Sequence, residues 1–136
     1  MPRVRLLIGK QFRLGNDMID SDHMAIADCR LRAVNCDQLR FEFFIARLKK
    51  LMREHFDHEA ILMDRAGVRL CECHRREHQM LLDLCDRAAA LSRHKWRKAQ
   101  TLLRRKLAKL FREHIICMDQ LTVLFINTHG ETARMG

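Results

Sequence analysis

Apolar residues recur at steps of three and four along four stretches of the chain, and this spacing predicts four amphipathic helices. The predicted inward faces are His23, Ile26, Ala27, Arg30, Leu31 and Val34; Phe44, Leu48, Leu51, His55, Glu59 and Leu62; Leu70, His74, His78, Leu81, Cys85 and Ala88; and Leu103, Leu107, Leu110, His114, Met118, Leu121 and Phe125. Short connectors make consecutive helices antiparallel neighbours. The pattern therefore predicts an all-α fold, an up-down-up-down antiparallel four-helix bundle with an N-terminal arm.

Local capping signals set the ends of these helices. The run Asp20, Ser21 and Asp22 offers an N-cap and acidic first-turn charge to the first helix. Asp37 is the predicted cap of the second helix, and Gly67 is its left-handed terminator. The predicted organisation is an N-terminal arm over residues 1–19, one helical domain over 20–128 and a flexible C-terminal tail over 129–136.

Histidines and carboxylates interrupt the apolar stripes near mid-length. His55 and Glu59 are four residues apart, as are His74 and His78, so each pair lies on one helix face. His114 lies in the fourth stripe in the same way. Burying that many imidazoles together without a shared partner would be costly. A metal ion resolves the problem, and this ligand set suits iron and its neighbours without excluding zinc or manganese.

The composition fits one helical domain. The chain has 136 residues, of which 48% are hydrophobic, with one Pro, five Gly and no Tyr. We expect no secretory signal before the six cysteines, because the apolar run near the first residues, Leu6–Ile8, is too short for a signal-peptide core, and no apolar segment approaches bilayer length. We expect a cytoplasmic protein without a transmembrane segment, whose cysteines are reduced thiols that pack as small helix hydrophobes.

The positive charge of the chain is local. The net charge is +9, and the segment 87–112 contains ten Lys and Arg residues without an acidic residue. Such a run is usually a solvated helix face. The alternative is a docking surface for an anionic partner or an oxygen-using enzyme. Trp96 and Phe111 are the only aromatic residues in the sequence of this segment. Because so few aromatic rings are present to stack on bases, we do not expect nucleic acid as the partner.

Seven residues, in order and type, resemble the ligand pattern of the hemerythrin family. They are His23, His55, Glu59, His74, His78, His114 and Asp119. The segment HFDHEAILM also resembles the family's stretch around a bridging Glu, and the likeness extends from IDSDH at 19–23 to EHIICMD at 113–119. The chain most resembles the small stand-alone bacterial members.

The resemblance implies a site of two non-haem iron ions, bridged by an oxo or hydroxo group and by Glu59 and Asp119. It assigns the histidines as follows: His74, His78 and His114 to a saturated iron, and His23 and His55 to an iron with one open position. Spacing alone does not explain Asp119, because five residues from His114 displace it by about 140° on an ideal α-helix.

The function implied by the resemblance is reversible dioxygen binding for transport, storage or delivery, rather than catalysis. The alternative is a sensor of oxygen, nitric oxide or redox state that signals to a partner through the same site. Leu110 and Phe111 stand where family members often carry Trp, and Phe12 is the nearest candidate for the usual aromatic in the arm. These departures concern the pocket and leave the ligands unchanged.

Three other sites fit parts of the pattern. His74-x-x-Glu77-His78 matches a zinc-protease signature, although the required third ligand and cleft are not evident. A ferritin-like oxidase would need more carboxylates than this histidine-rich set. Cys71 and Cys73 could form a soft-metal or redox site, but thiols two apart on a helix point away from each other.

Overall fold

The protein is described from a computed structural model that gives the backbone of residues 13–135 and the side chains of residues 13–128. Over this range the chain is helical and contains no strand. The helices are α1 (Asp17–Asn35), α2 (Gln38–Arg65), α3 (Glu72–Leu91) and α4 (residues 96–135). The predicted all-α class, with four helices, is confirmed.

Side-chain caps fix three of the helix starts. Asn16 Oδ1 accepts the Ile19 N–H at 3.1 Å, so α1 begins earlier than the predicted cap at residues 20–22. Asp20 instead accepts the backbone N–H of Leu14 at 2.8 Å, which folds the preceding segment against the helix. Asp37 Oδ1 accepts the Arg40 N–H at 3.0 Å, which confirms that predicted cap.

The end of α2 and the start of α3 are also set by single residues. Gly67 has a φ of +74°, so the predicted left-handed terminator of α2 is confirmed. Cys71 Sγ accepts the His74 N–H at 3.4 Å and caps α3, which therefore begins after the predicted Leu70.

Helix α4 is a continuous helix with two π-type segments. Its segments are Trp96–Leu102, Leu103–Leu107 (π), Ala108–His114, Ile115–Asp119 (π) and Gln120–Met135. The backbone stays helical beyond the predicted boundary at residue 128, while the side chains of the predicted tail lie outside the described range. Residues 1–12, which make up most of the predicted arm and include Phe12, also lie outside it.

The predicted inward face of α4 is wrong after His114. Leu121 and Phe125 are exposed, at 55% and 45%, and Met118 is half-buried. The buried positions are instead Ile115, Asp119, Thr122, Val123 and Ile126. The second π segment inserts one extra residue into the turn and so rotates the rest of the helix relative to its neighbours.

The interior consists of two apolar clusters with a polar layer between them. The larger cluster includes Ile26, Met52, Leu81 and Ile115, and the smaller one is formed by Ile19, Met63, Val123 and Ile126. On α1, α2 and α4 the predicted ligands lie between residues of the larger cluster and residues of the smaller one. Among the described residues, no helix is both long and apolar enough to span a bilayer.

Candidate metal centre

The structure brings all seven predicted ligands into one buried volume. Each is at most 7% exposed, although imidazole and carboxylate groups normally stay in contact with water. The four helices all contribute: His23 from α1; His55 and Glu59 from α2; His74 and His78 from α3; and His114 and Asp119 from α4.

Five of the seven form what we call the three-histidine group, whose donor atoms all lie within 4.8 Å of one another. Glu59 Oε1 lies 3.3 Å from His74 Nε2, and Glu59 Oε2 lies 3.2 Å from His78 Nε2. Asp119 Oδ1 lies 2.9 Å from His114 Nε2 and 3.3 Å from His74 Nε2. Two carboxylates and three imidazoles thus form a compact group that could hold a metal ion.

His23, His55 and Asp119 form the second cluster, called here the two-histidine group. Asp119 Oδ2 lies 2.8 Å from His23 Nε2 and 3.3 Å from His55 Nε2, and the two imidazole nitrogens are 3.2 Å apart. Glu59 Oε2 approaches His55 Nε2 at 3.7 Å. Asp119 therefore belongs to both groups, with one carboxylate oxygen facing each.

The π segment explains why Asp119 reaches the cluster. On an α-helix, a residue five positions after His114 would lie about 140° around the axis. In Ile115–Asp119 the hydrogen bonds span five residues, as between the Gln120 N–H and Ile115 O, so His114 and Asp119 share one face. In the sequence, the His-x4-Asp spacing is the feature that corresponds to this π turn. A helical wheel with a constant α-helical pitch does not reveal it.

The donor atoms of the three-histidine group are oriented toward a common centre. Both Glu59 oxygens, Asp119 Oδ1 and the Nε2 atoms of the three histidines form no hydrogen bond with any described residue, although several lie within 3.3 Å of each other. Buried polar atoms are normally satisfied. Short distances without hydrogen-bond geometry are expected where lone pairs converge on a cation, so the residues present fit a bound metal ion.

Asp22 is a neighbour of the cluster for which the sequence predicted only a helix-capping role. Its Oδ2 lies 3.0 Å from His55 Nδ1 and 2.8 Å from His58 Nδ1. His58 is half-buried and turned toward Asp22 rather than toward the cluster. No local signal could reveal this contact, because Asp22 and His58 are 36 residues apart.

Glu77 is a second carboxylate beside the cluster. Its Oε1 lies 3.7 Å from His114 Nδ1, and the residue is half-buried. In the zinc-protease pattern, this glutamate would act as general base next to a metal held by His74 and His78. Here it lies beside the Nδ1 edge of His114, the edge that faces away from the cluster.

Two phenylalanine rings cover the cluster on its apolar side. Phe56 stacks on His78, with ring centroids 3.7 Å apart and planes at 11°. Phe111 meets His23 edge to face at 5.8 Å. These contacts restrict the rotation of the imidazoles and keep water away from them.

The electrostatics of the cluster depend on Asp119. Burial alone would raise its pKa, but the close approach of four surrounding histidines, that of His114 first, holds it well below its usual range. Burial lowers the pKa of His55 and of His74, but the close approach of carboxylates, that of Asp119 first, outweighs it and raises the pKa values to about 10 and about 9. For His78, burial dominates and lowers the pKa.

The cysteines divide by location. Cys29 and Cys85 are buried, and burial raises their thiol pKa values to about 11 and about 12, as expected for small core residues. Cys71, Cys73 and Cys117 are exposed, so their predicted role as packed hydrophobes is wrong. In the described structure, none of the six belongs to a group of residues that could hold a metal.

The geometry thus supports a buried cluster of Glu59, His74, His78, His114 and Asp119 that can hold a metal ion, extended by His23 and His55 through the shared Asp119. Comparison of the chain with protein-family models, with curated proteins and with solved structures finds no match.

Proposed function

We propose that the cluster binds two non-haem iron ions and that the protein binds dioxygen there reversibly, as the hemerythrin family does. The observation that carries this proposal is the division of the cluster into two groups joined by carboxylates. Asp119 directs Oδ1 to His114 and Oδ2 to His23, while Glu59 lies between His78 and His55.

The two groups differ in the number of donors that they offer. In the three-histidine group, five side chains would hold one iron. In the two-histidine group, His23, His55 and Asp119 would hold the other, with Glu59 as a fourth donor at the longer distance. Fewer protein donors leave room for an exogenous ligand at the second iron. Bound iron would supply the electrons for reversible oxygen binding.

The remaining residues of the site favour binding over catalysis. Phe56 and Phe111 exclude water from the imidazoles, and the described residues of the two groups include only two carboxylates. A di-iron oxidase of the ferritin type uses four or more carboxylate ligands. We therefore assign no enzymatic activity to the cluster.

We infer that the four helices run up-down-up-down. Gln100, early in α4, donates to Ala33 O near the end of α1, whereas Asn127, late in α4, donates to Gly15 O before α1 begins. The contacts between α1 and α2 also pair late positions with early ones, as in the bond from Cys29 to Phe44 O. With this antiparallel order, the middle parts of the four helices lie at the same level of the bundle, which is where the ligands are.

The test is an optical and metal analysis of the purified protein. We expect two irons per chain and an absorption band that disappears on deoxygenation and returns when oxygen is readmitted. His78→Ala should lose iron while helix content persists, whereas His94→Ala, in an exposed turn, should keep both. Zinc in place of iron, or two irons retained in His78→Ala, would overturn the assignment.

A sensor is the second candidate, and one groove favours it. A cavity of about 510 Å³ between α3 and α4 has Met80 and Leu110 in its wall and Arg87, Lys106 and Lys109 around it. Half of the residues that line this groove belong to the basic segment 87–112, and Asp83 and Glu113 line it as well, so that its basic side is the part suited to an anionic partner. If oxygenated and reduced protein bound an acidic partner equally, the sensor function would be refuted while oxygen binding stood.

We also propose that the protein is located in the cytoplasm and that it delivers dioxygen there to an oxygen-using enzyme. Three exposed cysteines with free thiols suit a reducing compartment. Fractionation of the native cells followed by thiol labelling tests this part separately.

A further inference from the structure

One carboxylate oxygen serves two imidazoles at the edge of the two-histidine group. Asp22 Oδ2 lies within hydrogen-bond distance of Nδ1 of both His55 and His58. The two histidines are three residues apart on α2 and so face the same side, where Asp22 of α1 fits between them. His55 is fully buried, whereas the side chain of His58 is 37% exposed.

Two other histidines of the cluster, His23 and His114, do not have an equivalent partner. His114 Nδ1 is 3.7 Å from Glu77, and neither it nor His23 Nδ1 forms a hydrogen bond with any described residue. Within the two-histidine group, the orienting carboxylate therefore serves His55 and not His23. The position of His55 matters because the two-histidine group has fewer donor atoms, so that each donor contributes a larger share of the affinity for the metal.

We propose that Asp22 is a positioning residue for the two-histidine group and that His58 holds Asp22 in place from the surface side. The inference rests on the proposed metal centre, which it deepens by assigning control of the second metal to a residue outside the ligand set. Asp22 accepts the Nδ1–H of His55, which fixes the tautomer and leaves the Nε2 lone pair directed into the cluster.

His58 has a separate role in this arrangement. A lone aspartate at 18% exposure can rotate toward water, whereas one that also accepts the His58 N–H at 2.8 Å is held by two residues of α2. His58 thus restricts Asp22 to the rotamer that meets His55. Its loss should weaken the second metal less than the loss of Asp22 itself.

The experiment is a Co²⁺ titration of the metal-free protein under argon, followed by visible absorption and equilibrium metal counts. In Asp22→Ala we expect the first Co²⁺ to bind as in the wild type and the second to bind about 10- to 100-fold more weakly. Asp22→Asn keeps an acceptor oxygen and should restore part of this loss, and His58→Ala should show a smaller loss.

The matched control is Asp28→Ala, which removes an aspartate from the same helix that pairs only with exposed Arg32 among the ion pairs of the described residues. It should leave both Co²⁺ affinities unchanged. Circular dichroism checks folding, and Asp22→Asn and His58→Ala carry the test if Asp22→Ala does not fold.

The outcomes separate this inference from the proposed function. Two equally tight Co²⁺ ions in wild type and Asp22→Ala would refute the positioning role and leave the metal centre intact. Equal weakening of both ions would refute the specificity for the two-histidine group. A wild-type protein that bound no Co²⁺ would overturn the metal centre and the inference together, and two bound ions without oxygen binding would refute only the dioxygen function.

Discussion

Loading the metal-free cluster should release about two protons near neutral pH. In the metal-free protein, the close approach of carboxylates outweighs the effect of burial and raises the pKa of His55 to about 10 and of His74 to about 9. Both imidazoles are therefore charged at neutral pH, whereas a metal binds the neutral form. Burial lowers the pKa of His78, so that ligand is already neutral and releases no proton.

These pKa values give the size of the effect. At about pH 7.5, deprotonation of His74 costs about 2 kcal/mol and that of His55 about 3 kcal/mol, at about 1.4 kcal/mol per pKa unit. His74 belongs to the three-histidine group and His55 to the two-histidine group, so the three-histidine group should fill first. Falling pH protonates the ligand, so each affinity should drop about tenfold per pH unit below the respective pKa.

The assay is a Co²⁺ titration under argon in a weakly buffered solution with a pH indicator, repeated between about pH 6.5 and 8.5. The His94→Ala variant, altered in an exposed turn, should release the same number of protons. A release below about half a proton per chain, or two affinities that do not change with pH, would show that Asp119 does not hold these imidazoles in their charged form.

Three further predictions concern the framework of the site. Inserting one alanine after Cys117 should place Asp119 six residues after His114 and rotate it by about 100° about the helix axis, so that metal analysis finds both groups empty while helix content persists. Phe56→Ala removes the ring stacked on His78 and should lower the free energy of unfolding in denaturant by about 3–5 kcal/mol. Gln100→Ala removes two hydrogen bonds between α4 and the end of α1 and should cost about 1–3 kcal/mol in the same measurement.

Each of these variants has a control of matched chemistry. Cys117→Ser preserves the chain length and should keep its metal, and retention of two metals in the insertion variant would refute the π-segment argument. Phe43→Ala, an exposed ring on α2, should change stability by less than about 0.5 kcal/mol. Gln79→Ala, which loses only a solvent-exposed hydrogen bond, is the control for Gln100→Ala. An equal decrease in the free energy of unfolding in the two variants would contradict the stabilising role of the hydrogen bonds between Gln100 and the end of α1.

Local patterns predicted those parts of the fold and site that depend on neighbours in the chain. The cap at Asp37 and the terminator at Gly67 follow from single residues. His74 and His78 lie one turn apart whatever surrounds α3, and both are buried in the cluster. The start of α1 was predicted wrongly because several side chains there can cap a helix, and Asn16 does so while Asp20 binds the preceding segment.

Two kinds of error arose where a local rule does not apply. Leu121 was placed on the inner face of α4 because a wheel of constant pitch does not include the extra residue of a π segment. Asp22 and Glu77 were missed as neighbours of His55 and His114 because their contacts join different helices. Such contacts depend on packing, which the spacing of one helix does not specify.

The polar layer between the two apolar clusters also fixes the register of the bundle. Apolar faces alone would tolerate one helix sliding past another by a turn, about 5.4 Å, since leucine packs against leucine at either position. Here such a slide would move Glu59 or Asp119 into an apolar layer and leave the imidazoles facing hydrocarbon. A single buried polar residue can set the alignment of a coiled coil. By the same logic, seven polar side chains at one level make a shifted bundle unstable before any ligand is present.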